Sequence, residues 1–83
     1  MADKYLDQFA EQIQKFKTKE ELKDFLETIL TPKELEQIPI RLEIVRQIKQ
    51  GIAHHKIAED LKVGIATVTR GSKELKLNHF KNI

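Results

Sequence analysis

Cysteine is absent from the 83-residue sequence, which excludes disulfides, thiolate metal ligands and a cysteine nucleophile and fits a cytosolic protein. Missing as well is any run near the roughly 18 apolar residues of a membrane span. Asp3, Lys4 and Asp7 interrupt the start, where a signal peptide would need an apolar stretch. A soluble, cytoplasmic protein with no membrane partner is expected. Strand-like alternation, hairpin signals, internal repeats and low-complexity tracts are also lacking, so the fold class is all-α. Net charge is small, +2 from 15 Lys or Arg and 13 Asp or Glu, and by itself selects no partner.

The length suits one domain and is too short for two independent cores. With 34% charged residues, the chain buries a modest apolar area, and a dimer is expected to add stability. Charge is unevenly spread. Residues 1–30 carry five Lys and seven Asp or Glu (−2), whereas residues 31–83 carry ten Lys or Arg and six Asp or Glu (+4). The second half is the one suited to phosphate.

Leu6, Phe9, Ile13 and Phe16 recur at helical spacing, and Leu22, Phe25, Leu26, Ile29 and Leu30 repeat it after a polar break. Two amphipathic helices or one bent helix satisfy the pattern. Thr18 followed by Glu21 reads as a capping box, with each side chain meeting a backbone N–H of the other residue, so a helix starts near Lys19. Thr31-Pro32-Lys33-Glu34 repeats the signature, with Pro32 suited to the first helical position. Leu35, Ile38, Leu42, Val45 and Ile48 are expected to form the buried stripe of a third helix, which Pro39 should kink or briefly interrupt. Gly51 reads as its stop. Two short helices separated by Lys62-Val63-Gly64 follow, and Leu77 to Ile83 are too few for another substantial helix.

Between His54 and Lys76 the apolar spacing fits a helix-turn-helix. Ile57 and Leu61 line the first helix, Ala58 permits close approach, Val63 plugs the turn and Val68 anchors the second helix. The outward face of that helix holds Ile65, Ala66, Thr67, Thr69, Arg70 and Lys73, with no acid among them. Such a face suits a major groove, where apolar groups meet thymine methyls and hydroxyls and cations meet bases or phosphates. Gly64 precedes the helix and leaves its first N–H groups open to a phosphate. Lys56, Lys62 and the pair His54 and His55 add cations nearby.

Other chemistries fit less well. Adjacent His54 and His55 diverge on a helix and have no third ligand close in sequence, so no metal site is expected. Ser72, Glu74 and His79 lack the nucleophile turn or triad spacing of a hydrolase, and the chain is not expected to be an enzyme. The rival to DNA reading is a helical protein-interaction module.

The segment Gly64 to Ser72, GIATVTRGS, with Leu75-Lys76 and with Leu30-Thr31-Pro32, Arg41, Ile44 and Val45, resembles the tryptophan operon repressor family from about Leu30 to Lys76. The resemblance implies an intertwined homodimer that represses transcription by reading double-stranded operator DNA through two symmetry-related helix-turn-helix units. Within a single domain spanning 1–83, it makes 1–50 the dimerisation region, 51–77 the DNA-reading head and 78–83 a tail. Where the family pattern adds a final helix, this sequence has only His79 to Ile83, which is expected either to substitute as a short tail or to leave a smaller interface.

The resemblance further implies an amino-acid corepressor, L-tryptophan, and no other cofactor. Thr31 and Arg70 match groups that hold the carboxylate, Arg41 and the stem of Arg70 match those that sandwich the indole, and Gly71 matches a point of close ligand approach. Carbonyls near Thr28 and Leu30 match those facing the ammonium. Glu74 departs from the pattern by replacing a small hydroxyl residue. It either strengthens ammonium binding or pairs internally with Arg41 or Arg70. The second outcome leaves a family member that binds DNA without tryptophan or with another small ligand.

Overall fold

The computed structural model describes residues 2–83. They form five helices, α1 (Ala2–Gln14), α2 (Lys19–Ile29), α3 (Pro32–Lys49), α4 (His54–Leu61) and α5 (Ile65–Lys76). Among the described residues there is no strand, and no helix is long and apolar enough to cross a membrane. Backbone contacts divide the chain into one unit that ends at Leu35 and another spanning Glu36–Ile83.

In the first unit the polar break separates two helices. Thr18 has extended backbone angles (φ −122°, ψ 153°) and its Oγ1 accepts from the Glu21 N–H at 3.1 Å. Only half of the expected box forms here, because the Glu21 carboxylate accepts from the Thr18 hydroxyl at 3.1 Å. The second box is complete. The Thr31 N–H donates to Glu34 Oε1 at 2.9 Å, and the Glu34 N–H donates to Thr31 Oγ1 at 3.2 Å. The Thr31 backbone N–H, followed by its side chain, holds the Glu34 carboxyl below its ordinary range.

Phe25 of α2 packs on Phe9 of α1 and on Phe16 of the connection between them, with ring centroids 6.1 Å and 5.1 Å apart, both tilted. The apolar stripes are narrower than expected, since Leu6 and Ile29 are exposed. Two short helices cannot enclose both ends of their apolar faces.

The second unit gathers around Ile44, Ile57 and Val68, with Ile40, Ile48, Ile52, Ala58, Leu61 and Val63 packed against them. Burying such an aliphatic side chain contributes about 2 kcal/mol. The apolar spacing assigned to α4 and α5 is realised. Of the stripe assigned to α3, Val45 is buried, Ile48 packs on the core and Leu35 and Leu42 are half-buried, so the correction is confined to Ile38 and to two added positions. Ile40, Ile44 and Ile48 face the core at intervals of four, while Ile38 is exposed. Apolar residues occur on several faces of α3, and the α4–α5 pair covers the face that holds Ile44. No interruption occurs at Pro39, which lies inside a continuous helix and is exposed. Solvent there can replace the missing backbone donor.

Gly51 stops α3 as expected. Its φ is +82°, its N–H donates to the Ile48 carbonyl at 3.0 Å, and the Ile52 N–H reaches back to the Gln47 carbonyl at 3.1 Å. An equivalent turn closes α4, with Lys62 in the left-handed region (φ 57°, ψ 45°) and the Val63 N–H donating to the Ala58 carbonyl at 3.0 Å. A lysine in this conformation costs about 1 kcal/mol that glycine would avoid.

Candidate nucleic-acid interface and adjoining pocket

Helix α5 buries Val68 completely, and its other side presents Ile65, Ala66, Thr67, Thr69, Arg70 and Lys73, all exposed. Gly64 caps the helix without any side-chain hydrogen bond, which leaves the first N–H groups of α5 without a side-chain acceptor. A Cβ on Gly64 would meet nothing within 4 Å, so the space in front of this helix start is open. Lys56 on α4 and Lys62 in the turn are exposed as well. The Thr69 hydroxyl is partly committed, donating to the Ile65 carbonyl at 3.0 Å; its lone pairs remain free to accept.

Against the inner edge of this face lies a cavity of about 280 Å³, lined by Arg41, Ile44, Val45, Thr67, Arg70, Gly71, Glu74 and Phe80. That volume is near the lower limit, roughly 300 Å³, of ordinary small-molecule sites. Four of the five side-chain positions expected to meet a ligand, Arg41, Arg70, Gly71 and Glu74, are brought together here. Thr31 belongs to the first unit, where its hydroxyl and N–H serve the α3 cap. Thr28 and Leu30 also lie in that unit, at the end of α2.

Several lining residues were not assigned to the pocket from sequence. Ile44 and Val45 follow Arg41 by one helical turn, and Thr67, Arg70, Gly71 and Glu74 share one face of α5, so helical period alone could have joined them. Phe80 carried no such signal. Thr67, expected only at DNA, lines the pocket too. A Cβ on Gly71 would lie 3.1 Å from Ile44 Cγ2 and 3.6 Å from Ile48 Cδ1; the close approach is therefore between helices, beside the pocket.

Glu74 pairs with neither arginine. Its Oε2 lies 2.5 Å from His79 Nδ1, in hydrogen-bond contact. Arg41 and Arg70 thus border an apolar floor with no carboxylate bound to them, an arrangement complementary to a small anion with an apolar body.

A short helix, a three-residue turn and a longer helix with an acid-free outer face, set beside a two-arginine pocket, define a small all-helical protein. The chain belongs to the Trp repressor family: the family profile described as Trp repressor protein matches residues 4–81. It is 47% identical over 53 residues to a "Trp operon repressor homolog" of Vibrio vulnificus, covering 63% of this chain and 52% of that protein. Homologs under the same description from Vibrio cholerae and Photobacterium profundum are 46% identical over 52 residues, covering 61% of this chain and 50% of each. The chain spans about half the length of the curated relatives it matches. No solved structure matches it.

Proposed function

We propose that this protein is a cytoplasmic transcriptional repressor that acts without catalysis, binding operator DNA in the major groove as a homodimer. The observation that carries the proposal is the outer face of α5, where Ile65, Ala66, Thr67, Thr69, Arg70 and Lys73 are exposed beside an open helix start. In this role Ile65 and Ala66 meet base edges, and Thr67 and Thr69 supply hydroxyls. Arg70, Lys73, Lys56, Lys62 and the Gly64 end of α5 hold phosphates. Residues 1–50 serve dimerisation, 51–77 the reading head and 78–83 the tail. Homodimerisation is supported by the small core, in which Ile44, Val45, Ile57 and Val68 are the buried apolar residues.

L-Tryptophan is the first candidate for the pocket, with its carboxylate on Arg70, its ring against Arg41, and Gly71 and Glu74 along its edge. A specific observation also favours a second reading, in which DNA is bound without tryptophan: Glu74 is already engaged by His79.

Selection from a pool of random duplexes, followed by titration at several salt concentrations, tests the DNA assignment. Binding should fall steeply with salt, and Lys73→Ala should reduce the salt slope by about 1. Salt-insensitive association with no enriched sequence would instead establish a protein-interaction module. Calorimetry with L-tryptophan decides between the two ligand readings. Heat that disappears in Arg41→Ala supports a corepressor, whereas no heat at millimolar ligand with DNA binding intact supports the unliganded repressor.

A further inference from the structure

The segment after α5 is bound back onto the second unit by more contacts than a loose end requires. Lys49 Nζ, at the end of α3, donates to the Phe80 carbonyl at 2.5 Å and to the Ile83 carbonyl at 3.0 Å. The His79 N–H donates to the Glu74 carbonyl at 3.1 Å, and its ring holds the Glu74 carboxylate at 2.5 Å. To make this path the backbone takes left-handed angles at two non-glycine residues, Asn78 (φ 65°) and Phe80 (φ 58°), each costing about 1 kcal/mol. Such a path is populated only when the contacts it makes offset that cost.

Those contacts resemble the ends of a small molecule. Phe80 brings an aromatic group to the wall of the cavity, and His79 brings an N–H donor to Glu74, the one carboxylate in its lining. An aromatic amino acid would offer the same two groups, a ring and an ammonium, together with a carboxylate for Arg41 and Arg70. We propose that residues 77–83 are a built-in partial occupant of the site, in which Phe80 forms part of the cavity wall and His79 takes up the Glu74 carboxylate, leaving the guanidiniums unfilled. An external zwitterionic aromatic ligand then binds by displacing His79 and Phe80, so its apparent affinity is lowered by the fraction of molecules in which the segment is seated. This rests on the ligand reading of the pocket given above.

The test uses the whole chain. In the ligand-free protein, NMR should show contacts from the Phe80 ring to the methyl groups of Ile44 and Val45, and His79→Ala should weaken them. L-Tryptophan should abolish the contacts in the wild type. Calorimetry should find it bound about fivefold more tightly by His79→Ala and by Phe80→Ala, the effect of losing one hydrogen bond or its equivalent. Both residues are exposed, and circular dichroism checks that each variant stays folded. Absence of the ring contacts in the wild type overturns the proposal. So does tryptophan binding that leaves them intact, or equal affinity in all three proteins. Ring contacts that are present and lost in His79→Ala, with no tryptophan heat from any protein, remove the corepressor reading while supporting a resident occupant.

Discussion

Gly71 faces two demands at once, because it lines the pocket and lies against Ile44, a core residue only 2% exposed. Replacing a mid-helix glycine by alanine ordinarily stabilises by about 0.5–1 kcal/mol. Here the new methyl would sit 3.1 Å from Ile44 Cγ2, on a branched side chain wedged against Ile57 and Val68, and overpacking costs about 1–3 kcal/mol. Gly71→Ala should therefore destabilise the protein by about 1 kcal/mol net, measured by urea unfolding. A rise in stability would mean that Ile44 yields freely. The sequence marked Gly71 as a point of close ligand approach, and the structure sets it both in the pocket lining and against a core side chain. The neighbour lies on α3, with all of α4 between them in the chain, and no local pattern reports it. The structure sets Arg41, Arg70 and Glu74 in the lining of one cavity, yet Glu74 finds its partner in His79, a residue to which helical period assigns no position.

At the level of elements, ends were easier to read than faces. Thr18, Thr31, Gly51 and the turn at Lys62 all mark helix boundaries, because caps are made within a few residues and depend on local chemistry alone. Which side of α3 would be buried was only partly legible, Val45 and Ile48 having been read and Ile40 and Ile44 missed, since Leu35, Ile38, Ile40, Leu42, Ile44, Val45 and Ile48 encircle much of the helix and the choice falls to α4 and α5. The complete box at Thr31 also makes α3 sensitive to acid. Glu34 has its folded-state pKa lowered from the ordinary 4.5, first by the Thr31 backbone N–H. Its contribution is thus present above about pH 4.5 and is lost as pH falls through the lower folded value. Unfolding free energies of wild type and Glu34→Gln should converge as pH drops below that point. A gap that stays constant into acid would show that the carboxylate's charge does not matter to the cap.

For the molecule as a whole, the balance of burial bears on assembly. Tyr5 and Leu6 on α1 and Ile38 on α3 are among the exposed large apolar side chains, while the fully buried ones among the described residues are four aliphatics. If the proposed homodimer supplies the missing burial, folding and association are linked and the thermal midpoint must rise with protein concentration. Sedimentation should give twice the 9.7 kDa chain mass under the same conditions. A concentration-independent midpoint with a single-chain mass would assign the stability to the monomer.

Lys62 sets a limit on how this protein can be improved. It is the left-handed residue between α4 and the helix proposed to read DNA, and glycine is the replacement that would relax its backbone. The same exchange deletes a cation at the turn. An engineer seeking a hardier protein would be drawn to the position where robustness and grip are traded against each other, and thermal selection alone would push the turn toward a sturdier and weaker reader.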